Sequence, residues 1–256
     1  MREEGGNSVG KLSGKVAVVT GASKGIGAAI AEELAREGAS IVVNYASSGG
    51  QAEAIVSKIK AAGGAAKAVR ADVSKPAEAK NLVKAAVDEF GKVDILVNNA
   101  GVYEFLPLES ITEKHFDRMF DLNVRGLVFA TQAAAGAFGD NGGSVINIGS
   151  VASQIPPAGG SVYSATKGAV DVLTKSLATE LGPKNIRVNA ILPGPVETEG
   201  AKALPEFEPL LNSTLPRTPL GRVGQPRDIA TVASFLASED AGWITGQIIQ
   251  AAGGLH

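Results

Sequence analysis

The chain has 256 residues, 45% of them hydrophobic and 20% charged, which is enough apolar material for a sizeable core and too much for general disorder. A net charge of −2 argues against nucleic acid or an anionic membrane as the main partner, and no apolar run approaches the roughly 18 residues of a membrane helix. Cysteine is absent and the only histidines, His115 and His256, lie far apart. Disulfides, thiolate nucleophiles and a zinc site are therefore excluded, and the composition fits a cytoplasmic enzyme.

In chain order, residues 1–13 lack a signal-peptide core and read as a loose tail, with one domain expected over 14–256. Short apolar, β-branched runs follow: Val16–Thr20, Ser40–Asn44, Ala66–Ala71, Val93–Asn98, Ser144–Gly149, Ile186–Leu192 and Gln247–Gln250. They do not alternate, so they read as strands buried on both faces. The alanine-rich stretches between them have helical spacing, with Ile30, Leu34 and Ala35 on one face, and Leu82, Val83 and Val87 on another. Gly38, Gly63, Gly91 and Gly182 stand where those helices should stop. Such alternation predicts an α/β fold, a doubly wound parallel sheet of about seven strands with helices on both faces. Residues 194–224 break the pattern. Proline-rich and without a strand signal, they read as a functional insertion over the substrate.

The first strand runs into Thr20-Gly21-Ala22-Ser23-Lys24-Gly25-Ile26-Gly27, followed by a helix. Glycines at 21, 25 and 27 permit a sharp turn and a close approach of backbone N–H groups to a ligand. The helix N-terminus beyond favours a pyrophosphate. NAD sites place a carboxylate at the end of the second strand, where it binds the ribose 2′-OH and repels a 2′-phosphate. Here that strand ends Asn44-Tyr45-Ala46-Ser47-Ser48, with Tyr45 in the acid's position; the serine hydroxyls can donate to phosphate oxygens and Lys24 adds a cation. NADP(H) is therefore expected over NAD(H).

Tyr163 and Lys167 are four apart and would share one helix face. A cation beside a phenol favours the phenolate, as proton transfer near neutral pH requires. By itself this pair is a weak signal. Ser150, thirteen positions earlier at the end of the fifth strand, and Asn123 strengthen it.

The spacing G-x-x-x-G-x-G, with Asn98-Asn99-Ala100-Gly101, Tyr163-Ser164-Ala165-Thr166-Lys167 and Pro193-Gly194 in order, resembles the short-chain dehydrogenase/reductase family over about residues 12–254. The resemblance implies a Rossmann-type fold. It implies an NADP-dependent oxidoreductase moving a hydride between nicotinamide and a ketone, aldehyde or secondary alcohol, with Tyr163 as general acid/base. It gives Ser150 the substrate carbonyl to orient, and Asn123 a helix kink and a water anchored to Lys167, so that a proton could reach Tyr163 through water, Asn123 and Lys167. Asp72 and Val73 are implied at the adenine, Asn99, Ala100 and Gly101 at the adenosine ribose, and Pro193, Gly194, Val196 and Thr198 at the nicotinamide. Lys167 is implied at the nicotinamide ribose, and Lys24 matches the NADP-preferring pattern.

Within the family, 3-oxoacyl-carrier-protein reductases and broad carbonyl reductases compete with sugar or polyol dehydrogenases. A non-catalytic NADP-binding sensor is the remaining alternative. Tyr103, Phe105, Ile155, Pro156, Val196, Leu204, Phe207 and Leu211 are expected to line an apolar pocket for a small uncharged carbonyl or alcohol. The family usually assembles as homotetramers, which makes a homotetramer the expectation here.

Overall fold

The computed structural model describes residues 10–203 and 207–255. Seven parallel strands form one sheet: β1 (Val16–Val19), β2 (Ser40–Tyr45), β3 (Ala66–Arg70), β4 (Ile95–Asn98), β5 (Gly143–Ile148), β6 (Ile186–Pro193) and β7 (Ile248–Ala251). Their spatial order is β3-β2-β1-β4-β5-β6-β7, so the chain reverses its winding between β1 and β4. Ligands of such sheets bind at that switch point, beyond the carboxyl ends of the strands. The fold is the expected Rossmann-type doubly wound sheet, with strand ends shifted by one or two residues. Burial on both faces holds for β1 and β4 but not for β3 and β7, which are edge strands and leave Lys67, Arg70 and Gln250 exposed.

The helices are α1 (Gly25–Arg36), α2 (Gly49–Ala61), α3 (Pro76–Phe90), α4 (Glu113–Phe120), α5 (Gly126–Ala135), α6 (Ser161–Leu181), α7 (Glu199–Lys202), α8 (Phe207–Thr214) and α9 (Pro226–Ala237). Two apolar clusters flank the sheet. One packs Ile30, Leu34 and Ile229 against Ile41 and Ile146; the other packs Leu82, Val83 and Leu181 against Leu96 and Val145. Gly91 caps α3 in the left-handed region, and Gly38 and Gly63 take positive φ just past α1 and α2. Gly182 does not end its helix that way. It keeps φ −53, a 3-10 turn continues through Pro183, and Asn185 makes the left-handed reversal at φ 54. The expected loose tail does not reach residue 13: Leu12 is fully buried and its N–H donates to the Glu37 carbonyl at 2.8 Å, while residues 1–9 lie outside the described residues.

Residues 194–224 hold α7, α8 and a 3-10 turn at Leu215–Arg217. Their base is closed by a bridge between Val196 and Gly224, where the Glu197 N–H donates to the Gly224 carbonyl and the Gly224 N–H to the Pro195 carbonyl.

Candidate active site

The glycine turn leaves β1 at the switch point. Gly21 and Gly25 take φ of 61° and 59°. A Cβ on Gly21 would meet the Ala100 backbone at 2.9 Å, and one on Gly27 would collide with the Asn99 side-chain amide, so only glycine fits. Three polar side chains lock the turn. Thr20 Oγ1 donates to the Val97 carbonyl and accepts from the N–H groups of Asn99 and Ala100 at 2.9 and 3.0 Å. Asn99 Nδ2 donates to the Thr20 and Gly21 carbonyls. Asn44 Oδ1, at the end of β2, accepts from the Gly21 N–H, and its Nδ2 donates to the Ala71 carbonyl. Asn99, expected at the cofactor, thus spends its amide on the turn itself. The first turn of α1 carries no acidic residue and no side-chain cap, which leaves an anion-ready N-terminus behind Gly21. Glycine cradle and uncapped helix together fit a dinucleotide pyrophosphate.

At the end of β2, Tyr45, Ala46 and Ser47 present no carboxylate. Sheet register places Arg70 opposite Tyr45, and its guanidinium donates to the Ala46 carbonyl at 3.2 Å. Arg70 thus brings a cation to the end of β2, invisible from spacing because β3 supplies it across the sheet. Asp72 accepts from both the N–H and the hydroxyl of Ser74, and its own N–H donates to Glu78. Val73 is buried beside it and packs against Gly126.

Tyr163 lies on α6 with Lys167 one turn on. The Lys167 ammonium sits 5.7 Å from the phenol ring centre and donates to the Ile148 carbonyl at 2.9 Å. Burial pushes the Lys167 ammonium down to about 8 from its usual 10.5, against the pull of Asp171. Burial raises Tyr163, while the neighbouring Ser150 hydroxyl lowers it. Ser150 Oγ accepts the Ala152 N–H and opens the 3-10 turn Val151–Ser153.

Asn123 occupies a π-helical turn, Asp121–Arg125, between α4 and α5, which supplies the expected kink. Its Oδ1 accepts the Val102 N–H at 2.8 Å, and its Nδ2 donates to the Val102 carbonyl and to Thr166 Oγ1. Both amide hydrogens are used. The side chain therefore braces Val102 against α6. Thr166, unremarked in the sequence, completes this brace. Behind it, Asn98 and Asn147 face each other across β4 and β5 and bond onward to Thr131 and Thr174, a buried polar ladder under the site.

A cleft of about 560 Å³ opens beside Tyr163. Its walls include Ile26, Ser150, Pro193, Gly194, Val196 and Thr198, together with the expected Tyr103, Phe105, Ile155, Pro156 and Phe207. Tyr103 and Phe105 set their ring edges on Tyr163, with centroids 6.3 and 5.9 Å away. Thr198 caps α7, accepting the Ala201 N–H, and its methyl lies where a Cβ on Gly25 would touch it. Leu211 faces a separate cleft near Gly253, and Leu204 lies outside the described residues. Sequence reasoning missed Arg217 and Leu255. Leu255 is 2% exposed and reaches the cleft from the chain's other end. Glu197, at the base of the insertion, is tied to Lys202 and Gln225, so its charge is offset.

A glycine cradle at the switch point beside a tyrosine, lysine and serine marks a nucleotide-dependent oxidoreductase. A family model described as enoyl-(acyl carrier protein) reductase matches residues 21–256. The chain is 55% identical to an uncharacterized oxidoreductase of Methylorubrum extorquens, over 96% of this chain and 99% of that protein. It is 41% identical to a probable tetrahydroxynaphthalene reductase of Zymoseptoria tritici, over 93% of each. A short chain dehydrogenase of Burkholderia cenocepacia, solved in complex with NADP, superposes with a TM-score of 0.90 at 36% identity, over 95% of this chain and 98% of that one. The chain belongs to the short-chain dehydrogenase/reductase family of oxidoreductases.

Proposed function

We propose that the protein is an NADP(H)-dependent carbonyl reductase in which Tyr163 exchanges a proton with the substrate oxygen. The observation that carries this reading is the placement of Tyr163, flanked by Ser150 and Lys167, where the apolar cleft meets the glycine turn. NADP(H) supplies the hydride when bound. Gly21, Gly25 and Gly27 with the α1 N-terminus would hold its pyrophosphate, and Lys24 and Arg70 would receive the 2′-phosphate, with Ser47 as a further donor. The NADP complex of the Burkholderia relative supports the same choice.

Ser150 donates a hydrogen bond to the substrate carbonyl oxygen and aligns it with the Tyr163 hydroxyl. As the carbon becomes tetrahedral, the phenolic proton passes to the oxygen and leaves an alcohol. The resulting phenolate is stabilised by the Lys167 ammonium, which stands near its own titration point and can return a proton. In the alcohol-oxidising direction Tyr163 takes the proton instead. Apolar walls exclude water and favour a ketone carried on a bulky uncharged body, in keeping with the name of the Zymoseptoria relative. They suit a polyol poorly, and the complete catalytic set speaks against a mere cofactor sensor.

NADPH consumption should be followed across bicyclic aromatic ketones, quinones, β-ketoesters and sugars. Fastest turnover is expected with the bicyclic ketones. Turnover confined to sugars, or better kcat/KM with NADH than NADPH, would overturn the proposal.

A further inference from the structure

Asp171 lies one turn beyond Lys167 on α6, in a part of the helix with no assigned task. Its Oδ1 is buried without a hydrogen-bond partner. An unpartnered carboxylate oxygen in such a place is costly, and cores keep few of them. Residues four apart on a helix are neighbours, so this carboxyl adjoins the Lys167 stem. Its other neighbour is the Ser153 hydroxyl, which donates to the Ser150 carbonyl at 3.0 Å in the turn that aims Ser150. Asp171 thereby adjoins two elements of the catalytic group without reaching the cleft.

We propose that Asp171 is a positioning residue: its carboxylate, one helical turn from Lys167, anchors that lysine electrostatically. This rests on the reading of Tyr163, Lys167 and Ser150 given above. Burial raises the Asp171 carboxyl, and Ser153, Lys175 and Lys167 draw it back down. The attraction is mutual, since Asp171 is the group that opposes burial at Lys167. Other cations near α6 are engaged elsewhere: Arg125 pairs with Asp121, Arg118 with Glu104, and Arg187 donates to the Leu236 and Ser238 carbonyls. With Asp171 neutral, Lys167 should lose its proton at lower pH, and the alkaline limb of turnover should move with it.

The test uses enzyme carrying 13C-labelled lysine, with the Lys167 resonance assigned through Lys167→Met. In Asp171→Asn the Lys167 titration is expected to move down by half a pH unit or more. The kcat for 2-tetralone should fall about 3- to 10-fold while KM for NADPH stays within twofold, and Asp171→Glu should restore both. An unmoved Lys167 titration overturns the proposal whether or not the enzyme reduces 2-tetralone, because that readout needs no turnover. If Asp171→Asn does not fold, Asp171→Ser against Asp171→Glu makes the same comparison. Absence of ketone reduction in wild type, with the lysine shift present, would instead remove the carbonyl-reductase reading and leave the Asp171–Lys167 coupling standing.

Discussion

Hydrogen bonds donated by Thr20 and Asn99 to backbone carbonyls, and one accepted by Asn44 from the Gly21 N–H, lock the cofactor side of the cleft at the switch point. The substrate side is built differently. Tyr103, Phe105, Phe207 and Leu255 meet there from three distant segments and hold by apolar contact, over an insertion tied down at its base. Hydrogen-bonded geometry is intolerant of change; apolar contact accepts other side chains of similar volume. The first side suits a ligand common to many reactions, and the second a ligand particular to one.

Tyr163→Phe, at the junction of the two sides, should have the largest effect. A loss of roughly 10³-fold in kcat is expected with NADPH affinity within threefold, read by steady-state kinetics and cofactor fluorescence. Retained turnover would remove Tyr163 from the chemistry. On the cofactor side, Arg70→Ala with Lys24→Ala should reduce the preference for NADPH over NADH by about 10- to 100-fold, since two charge-assisted contacts are lost. An unchanged kcat/KM ratio would clear both residues of any contact with the 2′-phosphate. On the substrate side, ending the chain at Gly254 removes Leu255 and His256 and should raise the ketone KM about 3- to 10-fold while NADPH affinity holds. A rise in the cofactor KM instead would show that the two sides are not separable.

The smallest effect concerns stability. Lys167 titrates near 8 in the fold and near 10.5 when unfolded, so the fold holds an ammonium it disfavours. That cost is fully present below pH 8 and fades as pH rises toward 10.5. Lys167→Met should therefore be inactive yet more stable at pH 7, by about 1–2 kcal/mol in urea unfolding, with the gain shrinking above pH 8. A gain independent of pH would trace to packing rather than charge.

The same division explains what the sequence disclosed. Gly21, Gly25, Gly27, Tyr163 and Lys167 form local patterns whose spacing alone carries meaning, and the strand–helix alternation gave the sheet. Arg70 reaches Tyr45 only through strand register, and Asn44 reaches Gly21 only through the β1–β2 pairing, so neither has a sequence signature. Leu255 is brought to the cleft by tertiary folding of the C-terminus. The bracing role of Asn123 was hidden for a related reason: which partners claim an amide is decided by the atoms around it, here Val102 and Thr166.

The bridge from Val196 to Gly224 has a consequence for how such proteins diversify. Both ends of the insertion leave the body at one point, so its two ends are fixed relative to each other whatever lies between. Changes of length between those ends leave the spacing of the strands untouched, whereas Thr198, which lies against Gly25, ties the near end of the insertion to the glycine turn.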